Sequence, residues 1–405
     1  MDTARVGAGA RQRIVIAGAG YAGLHVALRA VAQLDEDHPA DITLVDRHDY
    51  HQVLTELPRV AAGTRAVDAV RVPLDQVLAR RVTFVRTAIT GFDLTGQELL
   101  TEDGPIPYTR LVLALGSRPN DFAIPGLAER ALFLWSVEDA RVVWTAVNRA
   151  IAAAADTTDP AEQRRLLTVV IGGAGATGVE LAGELAEELP ALAARHDIPA
   201  ERCRVALVEA GHTILAGSSP DLIGRAGKIL ADLGVIVRTN AAITEALPGG
   251  VRLKGGEVVE GNVFVWAGGV KAPDLVAGSG LPVGYNGRIK VDQYLRALDH
   301  PEIFVAGDLA SVVDPETGHT LPPLAQIALE EGETVAYNLQ AELYERPLRA
   351  FQFHDKGYVV SVGGERGVAD VAGRTIGGRL GHVLKDAIEW EYRQSVKHLR
   401  GWSPL

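Results

Sequence analysis

Two short glycine arrays give the first chemical signal. Gly18-x-Gly20-x-x-Gly23 lies within RIVIAGAGYAGLHVALRAVAQL (13–34), and Gly173-x-Gly175-x-x-Gly178 within LTVVIGGAGATGVELAGELAEEL (167–189). In such an array the first glycine permits a tight strand-to-helix turn. The second lets the backbone approach a pyrophosphate, and the third lets helix and strand pack closely. The helix that follows offers free N–H groups and the positive end of its dipole. After each array a second strand ends in an acid, Asp46 in ITLVDR and Glu209 in RVALVEAG. A carboxylate there accepts hydrogen bonds from ribose hydroxyls. Both acids lie further from their arrays than the usual ~20 residues, with DEDHPAD and ARHDIPAERC reading as the intervening loops. One array alone serves plain packing as readily as nucleotide binding. Two copies, each between strand and helix and each with its acid, point to two dinucleotide sites.

Glu209 also bears on which nucleotide is taken. It would accept the 2′-hydroxyl of NADH and repel the 2′-phosphate of NADPH, and Ala210-Gly211-His212 offers no arginine to clamp that phosphate. A third segment, PEIFVAGDLA, reads as a strand ending at Gly307-Asp308, followed by a helix in LPPLAQIALEEGETVAYNLQAEL. Asp308 there reads as a cofactor contact or as the N-cap of that helix.

The elements that must position these residues are strand–turn–helix units, so the expected class is α/β with two Rossmann-like dinucleotide-binding domains. The length of 405 residues, 47% hydrophobic and 22% charged, suits two or three domains. A formal charge of −11 argues against a nucleic-acid binder. Cys203 is the single cysteine, which excludes an internal disulfide and a thiolate metal cluster, and it reads as a small buried hydrophobe. No metal site is read. The N-terminal residues lack the apolar core of a signal peptide, and charged residues or glycine interrupt every apolar run below spanning length. The expected location is cytoplasmic, with the inner face of the cell membrane as a place of attachment. AAAADTTDPAEQRR (152–165) reads as an exposed loop.

The order of the first array, LVLALGSRPN (111–120), the second array and the late VAGD resembles the two-dinucleotide flavoproteins among the pyridine-nucleotide oxidoreductases. The resemblance implies FAD on the first array, with Gly18, Gly20, Ala22, Gly23, Asp46, Arg47, Ala88, Gly116, Gly307, Asp308, Ala325 and Gln326 around it. It implies NADH on the second, with Gly173, Gly175, Thr177, Gly178, Glu209 and Gly268. The expected domains are an FAD-binding domain (13–120 and 283–346), an inserted NADH-binding domain (121–282) and a small C-terminal domain (347–405).

A lone cysteine closes the route from flavin to a cysteine pair, and with it sulfide oxidation. DRHDYHQVLTELPRVAAGT, GATGVELAGELAE, VFVWAGGVKAPDL, GRIKVDQYLRA and GGRLGHVLKDAIEWEY, in that order, resemble type II NADH dehydrogenase, the single-subunit NADH:quinone oxidoreductase. The resemblance implies hydride transfer from NADH to FAD and then two electrons to a quinone, without proton pumping. That family's Ala-Gln-x-Ala-x-Gln signature lines the quinone tunnel. Here it reads Ala325-Gln326-Ile327-Ala328-Leu329-Glu330, an ionisable group replacing the second amide. Gln326 and Glu330 are four apart and share a helix face. Glu180 and Lys385 match a family acid and lysine near the flavin, and with Glu330 they would tune or relay protons. Blander roles are a surface acid for Glu330, a first-turn helix acid for Glu180, and a surface ion pair with Glu389 for Lys385.

In the last helix Leu384, Ile388, Tyr392, Val396 and Leu399 form one apolar face, with Arg393, Lys397, Arg400 and Trp402 beside it. This suits a membrane surface or the contact of a homodimer. Two rival functions remain at this stage: a flavoprotein reductase of ferredoxin, rubredoxin or another soluble acceptor, and a flavin-bound redox-sensing interaction protein.

Overall fold

The computed structural model describes residues 11–33, 40–78 and 81–398. Leu399, Arg400 and Trp402 of the expected apolar helix, and most of the DEDHPAD loop, lie outside the described residues. Along the chain, β1 (Gln12–Ala17), α1 (Tyr21–Gln33), β2 (Ala40–Asp46), β3 (Val82–Arg86) and β4 (Arg110–Leu113) come first. Next are β5 (Leu132–Phe133), α2 (Val137–Asp156), β6 (Thr168–Gly172), α3 (Ala176–Ala194), β7 (Arg204–Val208), α4 (Pro220–Asp232), β8 (Ile236–Arg238) and β9 (Val263–Trp266). The chain then returns through β10 (Arg296–Ala297), β11 (His300–Val305) and α5 (Ala325–Leu343). It ends in β12 (Tyr358–Ser361), β13 (Gly367–Val371), β14 (Arg374–Gly378) and α6 (Arg379–His398).

These strands form two separate sheets with the same logic. The first has the order β10-β11-β4-β1-β2-β3, parallel except where β10 runs against β11. The second, β5-β9-β6-β7-β8, is parallel throughout. Helices cover such a sheet on both faces, so its central strands read as unbroken apolar runs rather than alternating ones. Ile14 to Ala17 in β1 and Val169 to Ile171 in β6 are accordingly buried. Each unit also carries a three-stranded antiparallel ribbon, at 89–107 in the first and 243–260 in the second. The expected fold class, two Rossmann-like units and a small C-terminal part, is therefore what the chain builds.

Helix–helix packing ties the segments together. Gly332 in α5 lies so close to Ala22 in α1 that a side chain would press on its carbonyl. His25 and Arg29 of α1 both reach Glu333 of α5, at 3.2 and 2.9 Å. Gly183 of α3 abuts Val362 and Gly363 beyond β12, joining the second unit to the C-terminal sheet.

Three local expectations change. Residues 152–165 are mostly helical: α2 runs to Asp156, and Asp159 caps a short helix, Pro160–Leu166, by accepting from Ala161 N–H. Asp-Pro is an N-cap followed by N1, which a loop reading overlooks. Cys203 is only half-buried, just before β7. The apolar face expected of α6 is also divided. Ile388 is exposed, whereas Val396 is buried at 4% and Tyr392 turns inward. At 100° per residue an i,i+4 ladder drifts by about 40° per step, so it winds from the outer face to the inner one. The outer face instead holds Leu380, Val383, Ile388 and Trp390, which are 71, 60, 47 and 64% exposed. Among the described residues no helix is long and apolar enough to cross a membrane.

Candidate functional site

The first glycine loop joins β1 to α1. Gly18 has φ +103°, and a Cβ there would strike the Ala114 carbonyl. A Cβ on Gly23 would overlap the Gly18 carbonyl oxygen, so α1 cannot approach β1 with any side chain at that position. Above Gly20 the space is open to 4 Å, the room a phosphate requires. Asp46, at the end of β2, accepts from Ala19 N–H and His48 N–H, each at 2.8 Å. Burial opposes its charge, but the hydrogen bonds from His48 and Ala19 prevail and hold the carboxyl below its usual range.

The second loop, between β6 and α3, repeats this arrangement. Gly173 has φ +104°, and its missing Cβ would meet the Ala267 carbonyl and the Gly268 Cα. Gly178 lies against the Gly173 carbonyl, and Gly175 is open to 4 Å and caps α3 without a side chain. Thr177 is exposed in the first turn of α3. Glu209, just beyond β7, accepts from Ala174 N–H and Gly211 N–H, each at 2.7 Å. Both loops therefore present unencumbered backbone and a helix N-terminus, and both fit a dinucleotide pyrophosphate.

Around the first loop, Arg47 is exposed and its carbonyl accepts from Arg86, while Ala88 is half-buried. Gly116 turns with φ +65°, and the neighbouring Ser117 hydroxyl donates to Asp308 at 2.6 Å. Asp308 does not cap α5: it sits in a single turn, Gly307–Leu309, while α5 begins at Ala325 with Leu324 at its cap. Burial pushes Asp308 up, against Ser117 and Arg288. Behind it, the fully buried Glu331 accepts from Gly307 N–H, and burial pushes its carboxyl well above the usual range.

The expected catalytic residues fall into two pairs. Glu180 in α3 and Lys385 in α6 meet directly as a buried ion pair, 5 and 6% exposed. Ser361 joins them, its N–H donating to Glu180 at 3.1 Å and its hydroxyl 3.3 Å from Lys385 Nζ. Lys385 also lies 3.6 Å from Glu389, beyond which Arg59 stands 3.7 Å from Glu389, 3.8 Å from Glu184 and 2.8 Å from Asp386. Burial pushes the Glu389 and Glu184 carboxyls up, with Lys385 and Arg59 pulling the first down and Thr64 and Arg59 the second.

Gln326 and Glu330 do project together, but toward backbone. Gln326 Nε2 donates to the His354 carbonyl at 2.9 Å, and Glu330 accepts from His354 N–H at 3.1 Å. Both thus engage His354, and the other Glu330 oxygen lies 3.9 Å from Lys356 Nζ; the two pairs share no hydrogen bond or ion pair among the described residues. The stretch from His354 to Ser361 runs between them. The residues that sequence reasoning missed, Arg59, Glu184, Glu331, His51 and Ser361, make contacts that are distant in the chain. The one available signal was spacing, since Glu184 follows Glu180, and Glu389 follows Lys385, by one helical turn. Among the described residues no group of three or more His, Cys, Asp or Glu side chains is placed to hold a metal ion.

Comparison with known proteins gives the geometry a context. The family model for pyridine nucleotide-disulphide oxidoreductases matches residues 12–332. The type II NADH:quinone oxidoreductase of Staphylococcus saprophyticus is 31% identical over 383 residues, covering 94% of each chain. Among solved structures, NDH2 from Plasmodium falciparum in complex with NADH superposes with a TM-score of 0.85, at 16% identity and over 95% of each chain. The sulfide:quinone oxidoreductase of Aquifex aeolicus has a TM-score of 0.79 at 19% identity, over 95% of this chain and 91% of that one. At such identities the structural likeness speaks to the fold alone.

Proposed function

The chain belongs to the type II NADH:quinone oxidoreductases, and from that premise we propose that it binds FAD and NADH and reduces a quinone without pumping protons. The observation that supports this most is the pair of equivalent loops, each with open backbone over its middle glycine and a strand-end acid on its first peptide. The first loop, with Asp46, Ser117, Gly307 and Asp308, would hold FAD; the second, with Glu209, would hold NADH. Residues 13–120 with 283–346, 121–282 and 347–405 are the corresponding domains. Bound FAD supplies hydride acceptance and two-electron delivery, and the protein supplies binding, orientation and protons. Quinone reduction consumes two protons. The buried Glu180–Lys385 pair, with Glu389 on its far side, is the cluster that would hold and pass them. Gln326 and Glu330 would shape the acceptor pocket by fixing the His354 backbone rather than by touching the quinone.

The outward Leu380, Val383, Ile388 and Trp390 of α6 favour contact with a membrane surface. A homodimer through the same face is the second reading. Steady-state NADH oxidation tests the function: turnover with a soluble quinone, and little with ferredoxin or oxygen, is expected. Turnover with ferredoxin alone would assign the chain to the soluble-acceptor reductases, and FAD binding without turnover to a redox sensor. Flotation with anionic vesicles, with and without Trp390→Ser, separates membrane from dimer.

A further inference from the structure

The residue between the first two glycines of each array has both its N–H and its carbonyl fixed. The N–H ends are treated alike, by Asp46 at Ala19 and by Glu209 at Ala174. The carbonyl ends are not. The Ala174 carbonyl accepts from Leu215 N–H at 2.8 Å, a backbone group of the same unit. The Ala19 carbonyl instead faces His51 Nδ1 at 2.9 Å, and the other ring nitrogen, Nε2, lies 2.8 Å from the hydroxyl of Tyr392 in α6. Tyr21, the first residue of α1, packs against both rings, with centroids 5.1 Å from His51 and 5.0 Å from Tyr392.

This arrangement admits one protonation pattern. A carbonyl only accepts, so Nδ1 carries the proton. The His51 ring is wholly buried, and burial pushes its pKa down to about 4 despite Ala19 and Asp46, so the ring is neutral near pH 7. Nε2 is then bare, and the Tyr392 hydroxyl donates to it. The ionisable groups around the ring are Asp46, Tyr21 and Tyr392, and the two phenols stay protonated because burial raises them. The Ala19 carbonyl selects the Nδ1–H tautomer, since the other would turn a lone pair on it, and the phenol hydrogen bond holds the far end of the ring in place.

We propose that Tyr392, by donating to Nε2, anchors the His51 ring against the Ala19 carbonyl and so holds the first loop in its phosphate-receiving shape, making FAD retention depend on this contact from α6 while nucleotide binding at the second loop does not. The inference rests on the reading that the first loop takes FAD. Tyr392 and His51 are positioning residues in this account. It follows that whatever the outer face of α6 meets bears on how tightly the flavin is held.

The test compares holoproteins. FAD release is followed as the rise in flavin fluorescence on dilution, and NAD+ affinity by titration of the same samples. Tyr392→Phe is expected to speed FAD release about five- to tenfold, the effect of losing one buried hydrogen bond, with NAD+ affinity unchanged. His51→Leu should do the same. His51→Asn, whose amide can donate to the Ala19 carbonyl without help from Tyr392, should release FAD near the wild-type rate and make Tyr392→Phe silent in the double variant. Nitrogen-15 shifts of His51 should show a protonated Nδ1 and a bare Nε2 in the wild type, and in Tyr392→Phe a displaced Nε2 resonance with Nδ1 still protonated. Unchanged FAD release in Tyr392→Phe and His51→Leu, or equal loss at both nucleotide sites, would overturn the inference. A wild-type chain that binds no FAD would overturn the underlying reading and the inference with it.

Discussion

At Ala19 and at Ala174 the chain makes the same turn, with φ near +104° at the preceding glycine, an open middle glycine, and a strand-end carboxylate on the alanine N–H. Behind the turns the supports differ. One carbonyl is closed by Leu215 within its own unit; the other leans on His51, which leans on Tyr392 in the last helix. What the pyrophosphate requires is kept in both copies, and what holds the loop is free to diverge. On the proposed assignment, the locally closed loop would take the nucleotide that arrives and leaves, and the braced loop the one that stays.

The largest way to break the comparison is at the third glycines. Gly23→Ala should expel FAD and leave the second site intact, and Gly178→Ala should do the reverse, because each side chain would overlap the first glycine's carbonyl. Overpacking of about 1–3 kcal/mol gives a loss of one to two orders of magnitude in affinity, read by flavin content and NAD+ titration. The next test reads stability rather than affinity, at the seam where α3 of the second unit meets α6. Lys385→Met should cost about 3–5 kcal/mol by thermal or denaturant unfolding, since it leaves the Glu180 carboxylate buried without its cation.

A smaller effect is pH-dependent. The folded His51 pKa of about 4 lies below its ordinary 6.5, so the unfolded chain binds the extra proton between these values. Its contribution is intact above pH 6.5 and lost as pH falls toward 4, by as much as about 3 kcal/mol. His51→Asn should flatten the stability profile in that window while leaving the acid limb below it. The smallest expected change is Glu330→Gln. The amide oxygen can still accept from His354 N–H, so that donor is not left unpaired and quinone turnover should stay within about twofold. A loss confined to the quinone half-reaction would instead make the Glu330 charge part of the chemistry.

The parts of this molecule that could be read from sequence are those whose signal is local. The glycine spacing, the strand-end acids and the shared face of Gln326 and Glu330 each lie within one turn or one βαβ unit, where geometry follows from neighbours along the chain. Glu180 and Lys385 could be singled out, but their contact spans 205 positions and is made by packing alone. His51 and Tyr392 are 341 apart; the helical ladder that holds Tyr392 gives no sign of its partner, and a single histidine bears no periodic pattern. The Ala19 carbonyl, the group they serve, is backbone, so no residue type marks it. The α6 face was misread for a related reason: an i,i+4 ladder looks like one face over two turns and is two faces over four.

Hydrogen exchange of the two loops, compared between wild type and Tyr392→Phe, tests their unequal support most directly. The account expects faster exchange across residues 18–23 in the variant and unchanged exchange across 173–178. Equal acceleration of both loops, or none at the first, would contradict it.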